Sequence, residues 1–399
     1  MNAPMKLPSH IPSSLVVDFN YYDQPGGHDD PHLTWKRLHD GPDIFYTPHY
    51  GGHWVITRGA DLRDILKDHE HFSSTRNSIP YHQSPFQLAP IEYDPPDQVD
   101  LKRLQIPSFQ PKAINSLEAD SRRLSVELIE GFYDRGECEF VSDFALKMPI
   151  GIFMRMMNIP DSERLTLLDL VETKVRNPDE QAQLRAHAAL VEYSAKIIDQ
   201  RRQEPGDDLV SQLLRSTFKG RPLNQQELLG FVVLLWFAGL DTVSSSMGFI
   251  ARFLANNPAH RRQLVEQPEL IPNAIEELLR RFGVSIPSRM VSEDLVFRGI
   301  TMKKGDMVLL PIMMHGMDER VWSEPMTVDF NRQDAGMHLT LGDGVHRCSG
   351  SYLARTELRV FIEEWLRLIP DFNIKPGLKP VTSVGVVNGT LKLPLTWKT

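Results

Sequence analysis

The sequence predicts a mostly α-helical protein with minor β structure, an α+β chain in which helices form the body. Three observations carry this. Apolar spacing from Ile114 to Gln203 is helical over most of its length. A long apolar segment begins at Asn224 and meets no proline until Asn256-Asn257-Pro258. Strand signals are short and confined to the His53–Thr57 run and to the C-terminal end.

The elements follow in order. Residues 1–30 are rich in proline and turn residues and are expected to be irregular. HWVIT, His53 to Thr57, reads as a strand, and ADLRDILKD after it reads as a helix. The helical stretch 114–203 is interrupted at Gly136, Pro160 and Pro178, which implies several helices joined by short loops. Asn224 followed by Glu227 resembles a capping box, and the helix it starts would run about 48 Å at about 1.5 Å per residue. Such a helix with an apolar middle must be buried. Near the C-terminus, Asn388-Gly389 suggests a tight hairpin.

The chain has 399 residues, 41% hydrophobic and 24% charged, enough to bury a cofactor-sized cavity. It shows no Gly/Ser linker, no sustained charge run and no internal repeat, so residues 1–399 are expected to form a single domain. The N-terminus lacks the basic start and apolar stretch of a signal peptide, and no membrane association is expected. A net charge of −8 argues against a nucleic-acid partner. Cys138 and Cys348 are the only cysteines, which fits a reducing cytoplasm.

Cys348 sits in LGDGVHRCSGSYLAR, where Gly342, Gly344 and Gly350 leave room for a flat cofactor to approach the backbone. A helix pattern starts just past the sulfur, so free N–H groups and a positive dipole end would favour an anionic ligand. A lone cysteine is most simply a small buried hydrophobe; in this frame the chemical reading is an axial cysteinate to haem iron. Within the long helix, Ala238-Gly239-Leu240-Asp241-Thr242 places an acid and a hydroxyl in an apolar segment. Taken alone this is a local kink, with Thr242 bonding back to the carbonyl of Ala238. Glu277 and Arg280 stand three apart on a helix, where an exposed ion pair would be worth a few tenths of a kcal/mol, about 0.3.

Together these segments resemble the cytochrome P450 family of haem-thiolate monooxygenases. The cysteine run matches the family's FGxGxHxCxG loop except that Leu341 replaces the aromatic residue. Ala238 to Thr242 matches its oxygen-activating motif, and Glu277-Leu278-Leu279-Arg280 with EPMTVDFNR matches its ExxR helix and the meander beyond it. The resemblance runs from about Asp30 to the C-terminus and is closest to the soluble bacterial camphor-hydroxylating branch. It implies a triangular prism with the long helix crossing over haem b.

Roles follow from the resemblance. Cys348 would ligate the iron. Gly239 would leave room for dioxygen, Thr242 would hydrogen-bond it and Asp241 would relay protons. Glu277, Arg280 and Arg332 would form a buried charge network that braces the cysteine loop. His346, Arg289, Gln98 and Lys102 would hold the haem propionates, Lys102 replacing an arginine and so losing the bidentate fork. Lys102, Arg103 and Arg347 would form a basic patch for an acidic electron donor. Phe86, Leu234, Phe237, Val284, Val386 and Val387 would line an apolar pocket. Phe86 stands where the camphor enzymes carry a tyrosine, and Ser78 replaces a nearby Phe. A small or medium apolar substrate, a terpenoid or norisoprenoid, is therefore expected. The resemblance further implies an NADH-dependent flavin reductase and a two-iron two-sulfur ferredoxin as partners. A peroxide-dependent peroxygenase and a non-catalytic haem-thiolate sensor are the alternatives.

Overall fold

A computed structural model describes residues 7–81, 84–176 and 179–399. Helices dominate, and the expected break at Pro178 lies outside the described residues. The long helix spans Gln225–Asn256, and it opens as its sequence requires. The Asn224 side chain accepts from the Glu227 N–H at 2.9 Å, while the Glu227 carboxylate accepts from the Asn224 N–H at 2.8 Å. Apolar on all sides, this helix is long enough to cross a membrane by composition, but most of its length is packed inside the protein.

Around it lie helices Pro111–Tyr133, Lys147–Met156, Arg164–Arg176, Glu180–Gln203 and Ser351–Leu368. Their shared core includes an aromatic group of Phe140, Phe144, Phe361 and Trp365, with ring centroids 4.9 to 6.1 Å apart. The stretch between Tyr133 and Lys147 departs from the helical reading. Glu137–Glu139 is a strand, because Gly136 turns the chain at φ +65° and Cys138 then pairs with Leu395 of the strand Pro394–Trp397.

A second, smaller core sits under a five-stranded sheet. Its order is Ile44–Thr47, His53–Ile56, Met307–Leu309, Ser288–Val291 and Phe72–Ser73. Only the pairing of His53–Ile56 with Met307–Leu309 is parallel. The first two strands are buried at every position, so they read as continuous apolar runs without alternation. Residues 16–17 join this sheet's edge through the bridge from Val16 to Tyr46, and Ile11 and Tyr21 are buried. Residues 7–30 are thus largely irregular in conformation yet packed.

The C-terminal hairpin differs from the two-residue turn expected at Asn388-Gly389. Val381–Ser383 pairs with Gly389–Lys392 across a five-residue connection, 384–388, and the Asn-Gly pair lies at its end. Asn388 is fully buried, its N–H donating to Val284 O at 2.8 Å. Backbone pairing with the 284–286 segment, and not turn geometry, fixes the chain at this position.

Candidate active site

The loop bearing Cys348 is set by two left-handed glycines. Gly342 has φ +73° and Gly344 has φ +64°, and a Cβ on Gly344 would lie 2.6 Å from Leu66 O. Gly350, grouped with them in the sequence, has an ordinary φ of −80° and is the N-cap of Ser351–Leu368. The Cys348 N–H donates to Leu341 O at 2.9 Å, closing the loop. The thiol is accessible, yet surrounding protein pushes its pKa up, as in a deep recess. The Gly350 N–H and the cations Lys102, Arg355 and Arg347 oppose that rise. Leu341 packs against the main core, and the Phe109 ring edge and the Cys348 sulfur both lie within 4 Å of the point where a Gly350 Cβ would stand. Cys138, by contrast, is buried in a strand and its thiol is raised by burial, which makes it inert.

The long helix opens at its midpoint. Ala238 is exposed, and Leu234, Phe237, Asp241 and Thr242 are partly so, while Phe231 to Val233 and Val243 to Ile250 are buried. Positions 234, 237/238 and 241/242 share one helical face, so an accessible stripe interrupts the mostly buried middle of the helix. The Thr242 hydroxyl donates to Ala238 O at 2.7 Å, which leaves its oxygen as an acceptor. The Ser245 hydroxyl lies 3.5 Å from the Asp241 carboxylate. A Cβ on Gly239 would meet the Phe153 ring at 3.4 and 3.6 Å, ordinary contact, so Gly239 turns its bare side to Phe153.

The helix Ile271–Arg281 anchors this assembly. Glu277 and Arg280 are fully buried and bidentate at 2.7 and 2.8 Å, which removes the exposed-pair reading. Arg280 also donates to Pro325 O at 2.7 Å, to Thr327 O at 3.1 Å and to Gly316 O. Arg332 reaches both Glu277 oxygens at 3.1 and 3.2 Å, and the Asp329 N–H adds a bond at 3.0 Å. A buried ion pair persists only with such complete hydrogen bonding.

A second network was not read from the sequence. Glu276, next to Glu277 but on another face, receives Arg355 bidentately at 2.5 and 2.8 Å, with His338 at 3.3 Å. Arg355 stands on the helix that follows Cys348, so adjacent glutamates tie one helix to the meander and to the cysteine helix. Burial raises the Glu276 carboxyl, but Arg355 and His338 outweigh it and bring the pKa to about 2. An Arg in the first turns after the cysteine was the available signal.

Gln98, Lys102 and Gln105 share the helix Asp97–Phe109 and all reach the cysteine loop. Gln98 Nε2 donates to Val345 O at 3.0 Å, Lys102 Nζ to Val345 O at 2.7 Å and Arg347 O at 2.6 Å, and Gln105 to Ser349 Oγ at 3.0 Å. Arg103 faces away to Asp100 at 3.0 Å, both exposed, so it does not join Lys102 and Arg347 at the loop.

Arg289, on Ser288–Val291, is buried and bonds to Ser288 O at 2.8 Å; burial lowers its pKa to about 10. Burial first, then Arg289, Lys102 and His69, holds His346 at about 3. Gln98 Oε1 and His346 Nε2 are buried without partners among the described residues. Two cations and a neutral imidazole thus converge with orphaned polar atoms, a donor set that fits a group bearing two carboxylates beside a thiolate-bound metal.

The pocket positions form two groups. Leu234 and Phe237 lie on the accessible stripe, and the backbone beside buried Phe86 packs on the same helix, since a Cβ on Gly230 would lie 2.2 Å from Gln87 O. Val284 and Val386–Val387 are joined through Ile286 N–H to Val386 O at 2.8 Å and the Ser285–Val387 bridge. The Ser78 hydroxyl bonds to Pro80 O at 3.4 Å.

The cytochrome P450 family model matches residues 149–384. A probable cytochrome P450 127A1 of Sinorhizobium fredii is 33% identical, covering 98% of this chain and 97% of its own. Mycinamicin IV hydroxylase/epoxidase of Micromonospora griseorubida is 32% identical over 88% of this chain and 91% of its own. Among solved structures, cytochrome P450 CYP101C1 superposes with a TM-score of 0.93 at 34% identity, covering 99% of this chain and all of that one.

Proposed function

This chain belongs to the cytochrome P450 family, a haem-thiolate monooxygenase, and on that premise we propose that it hydroxylates a small or medium apolar substrate, a terpenoid or norisoprenoid. The observation that carries the proposal is the accessible stripe from Leu234 to Thr242 in an otherwise buried helix. Apolar residues begin the stripe and an acid and a hydroxyl end it, which suits a hydrocarbon held beside a proton relay.

Haem, when bound, supplies activation of dioxygen and one-electron chemistry. Cys348 would ligate its iron, while Arg289, His346, Gln98 and Lys102 would hold its carboxylates. Lys102 already clasps two loop carbonyls, so its role includes fixing the cysteine. Thr242, its proton committed to Ala238, would accept a hydrogen bond at the reacting oxygen, and Asp241 would deliver protons from solvent. Gly239 would act through backbone approach, because its missing side chain faces Phe153. Phe86, Leu234, Phe237, Val284, Val386 and Val387 would exclude water and shape the pocket; Glu277, Arg280 and Arg332 are structural.

Electrons would come from a two-iron two-sulfur ferredoxin, fed by an NADH-dependent flavin reductase, in the cytoplasm. The test is a spectral screen followed by turnover. A terpenoid panel should shift the Soret band of the holoenzyme, and the binders should be hydroxylated with NADH, reductase and ferredoxin. Turnover with peroxide alone would support a peroxygenase, and binding without turnover in either system would support a sensor.

A further inference from the structure

Several buried and half-buried cations in this protein meet acids. Arg201 meets Asp208 at 2.9 Å, Arg280 meets Glu277 at 2.7 Å and Arg355 meets Glu276 at 2.5 Å. Lys102 and Arg289 bond instead to backbone carbonyls, whereas Lys174 meets neither an acid nor a carbonyl among the described residues. It is half-buried near the end of Arg164–Arg176, and among the described residues no carboxylate lies within ion-pair distance. Burial alone lowers its pKa.

His187 lies nearby on Glu180–Gln203, which packs on both Arg164–Arg176 and the long helix. Its ring stacks on Phe237 with centroids 5.6 Å apart and planes 18° apart. Its Nδ1 is buried without a partner among the described residues. Burial lowers its pKa, and the charge of Lys174 lowers it further, which puts the two side chains in one electrostatic neighbourhood. Phe237 lies on the accessible stripe, and Thr242 is five positions further on, about 7.5 Å along the helix.

An ammonium and an imidazole drawn out of water without an acceptor are destabilising unless something supplies one. His187 sits against Phe237 in the apolar part of the stripe and Lys174 lies within electrostatic reach of His187, so a ligand lying along the stripe could reach them with one end. We propose that Lys174 and His187 anchor a carboxylate on the substrate, whose hydrocarbon body lies along Phe237 toward Thr242. The substrate is then an apolar acid of roughly monoterpenoid length, since its body would span the ~7.5 Å of helix from Phe237, on which His187 stacks, to Thr242. This rests on the reading of the stripe as the substrate site.

The experiment compares acid and methyl-ester pairs with the holoenzyme, terpenoid acids in one series and linear fatty acids of similar length in another, reading dissociation constants from the Soret shift. The acid of a binding pair should bind about tenfold or more tighter than its ester. Lys174→Met should bring the acid down to the ester's affinity, Lys174→Arg should restore part of the preference, and His187→Phe, which keeps the stack on Phe237, should lower it. The long-wavelength Soret band of the reduced carbon monoxide complex checks that each variant is folded and loaded. Preference for acids in the linear series alone, lost in Lys174→Met, would leave the anchor standing and remove the terpenoid reading. Acids and esters binding alike in both series, no acid binding in either, or a preference unchanged in Lys174→Met would overturn the anchor.

Discussion

Thr242 is held by Ala238 O at 2.7 Å, an arrangement any mid-helix threonine can adopt, and what distinguishes it is the accessible face on which it lies. Thr242→Ala is expected to keep consuming NADH while releasing peroxide in place of product, and Thr242→Ser to retain most coupling. The ratio of product to NADH reads this directly; an unchanged ratio in the alanine variant would remove Thr242 from the relay. Phe86 is buried, and the backbone beside it packs on the same helix. Phe86→Tyr should favour ketones by about 1 kcal/mol, roughly fivefold in affinity, and equal binding across a ketone series would place it outside the pocket. Cys348 was legible because glycines, a histidine and a helix start all surround it. Leu341 was not, since its packing into the main core depends on a fold that no local pattern shows.

The helix Ile271–Arg281 shows how two adjacent residues serve different partners. Glu277 looks to Arg280 and the meander, and Glu276 looks to Arg355 behind Cys348. Because Arg280 and Glu277 are fully buried, removing one leaves an uncompensated charge. Arg280→Leu is expected to cost about 3–5 kcal/mol and to lower thermal stability and haem retention together. Arg280→Lys should fail almost as badly, since an ammonium cannot supply the fork that meets Glu277 and three carbonyls. A melting temperature within a few degrees of the parent, about 2–4 °C, in both variants would contradict the brace. The Glu-x-x-Arg spacing was visible in the sequence, but its burial and the Glu276 partners were not, because they arise from segments 36 to 79 residues apart. The Asn388-Gly389 pair misled for the same reason: tertiary contact with Val284 overrides its turn propensity.

At the scale of the whole molecule, acid sensitivity follows from buried histidines and from Glu276. His32, His53 and His315 are held at about 4, 4 and 3, in each case chiefly by burial, against 6.5 for an ordinary histidine. As pH falls from 6.5 toward 4 the unfolded chain takes up protons that the folded chain refuses, so stability falls. Glu276, depressed from 4.5 to about 2, contributes stability that is complete above 4.5 and is lost as pH drops through about 2. Melting temperature should therefore decline in two stages, with His32→Gln, which can still donate to Gly283 O, flattening the upper one. A flat profile between 6.5 and 4 would contradict this. The helical body and long central helix were legible from periodicity and capping. The sheet order was not, since it joins strands from positions 44 to 309, as only the folded chain brings them together.

The central claim is that Cys348, in its glycine-set loop, is an axial thiolate to haem. Purified holoprotein should be reduced, exposed to carbon monoxide and its Soret band recorded. The long-wavelength band of thiolate ligation is expected, and it should be absent in Cys348→His. The shorter-wavelength band of a histidine or neutral-thiol complex from the intact parent protein would contradict it.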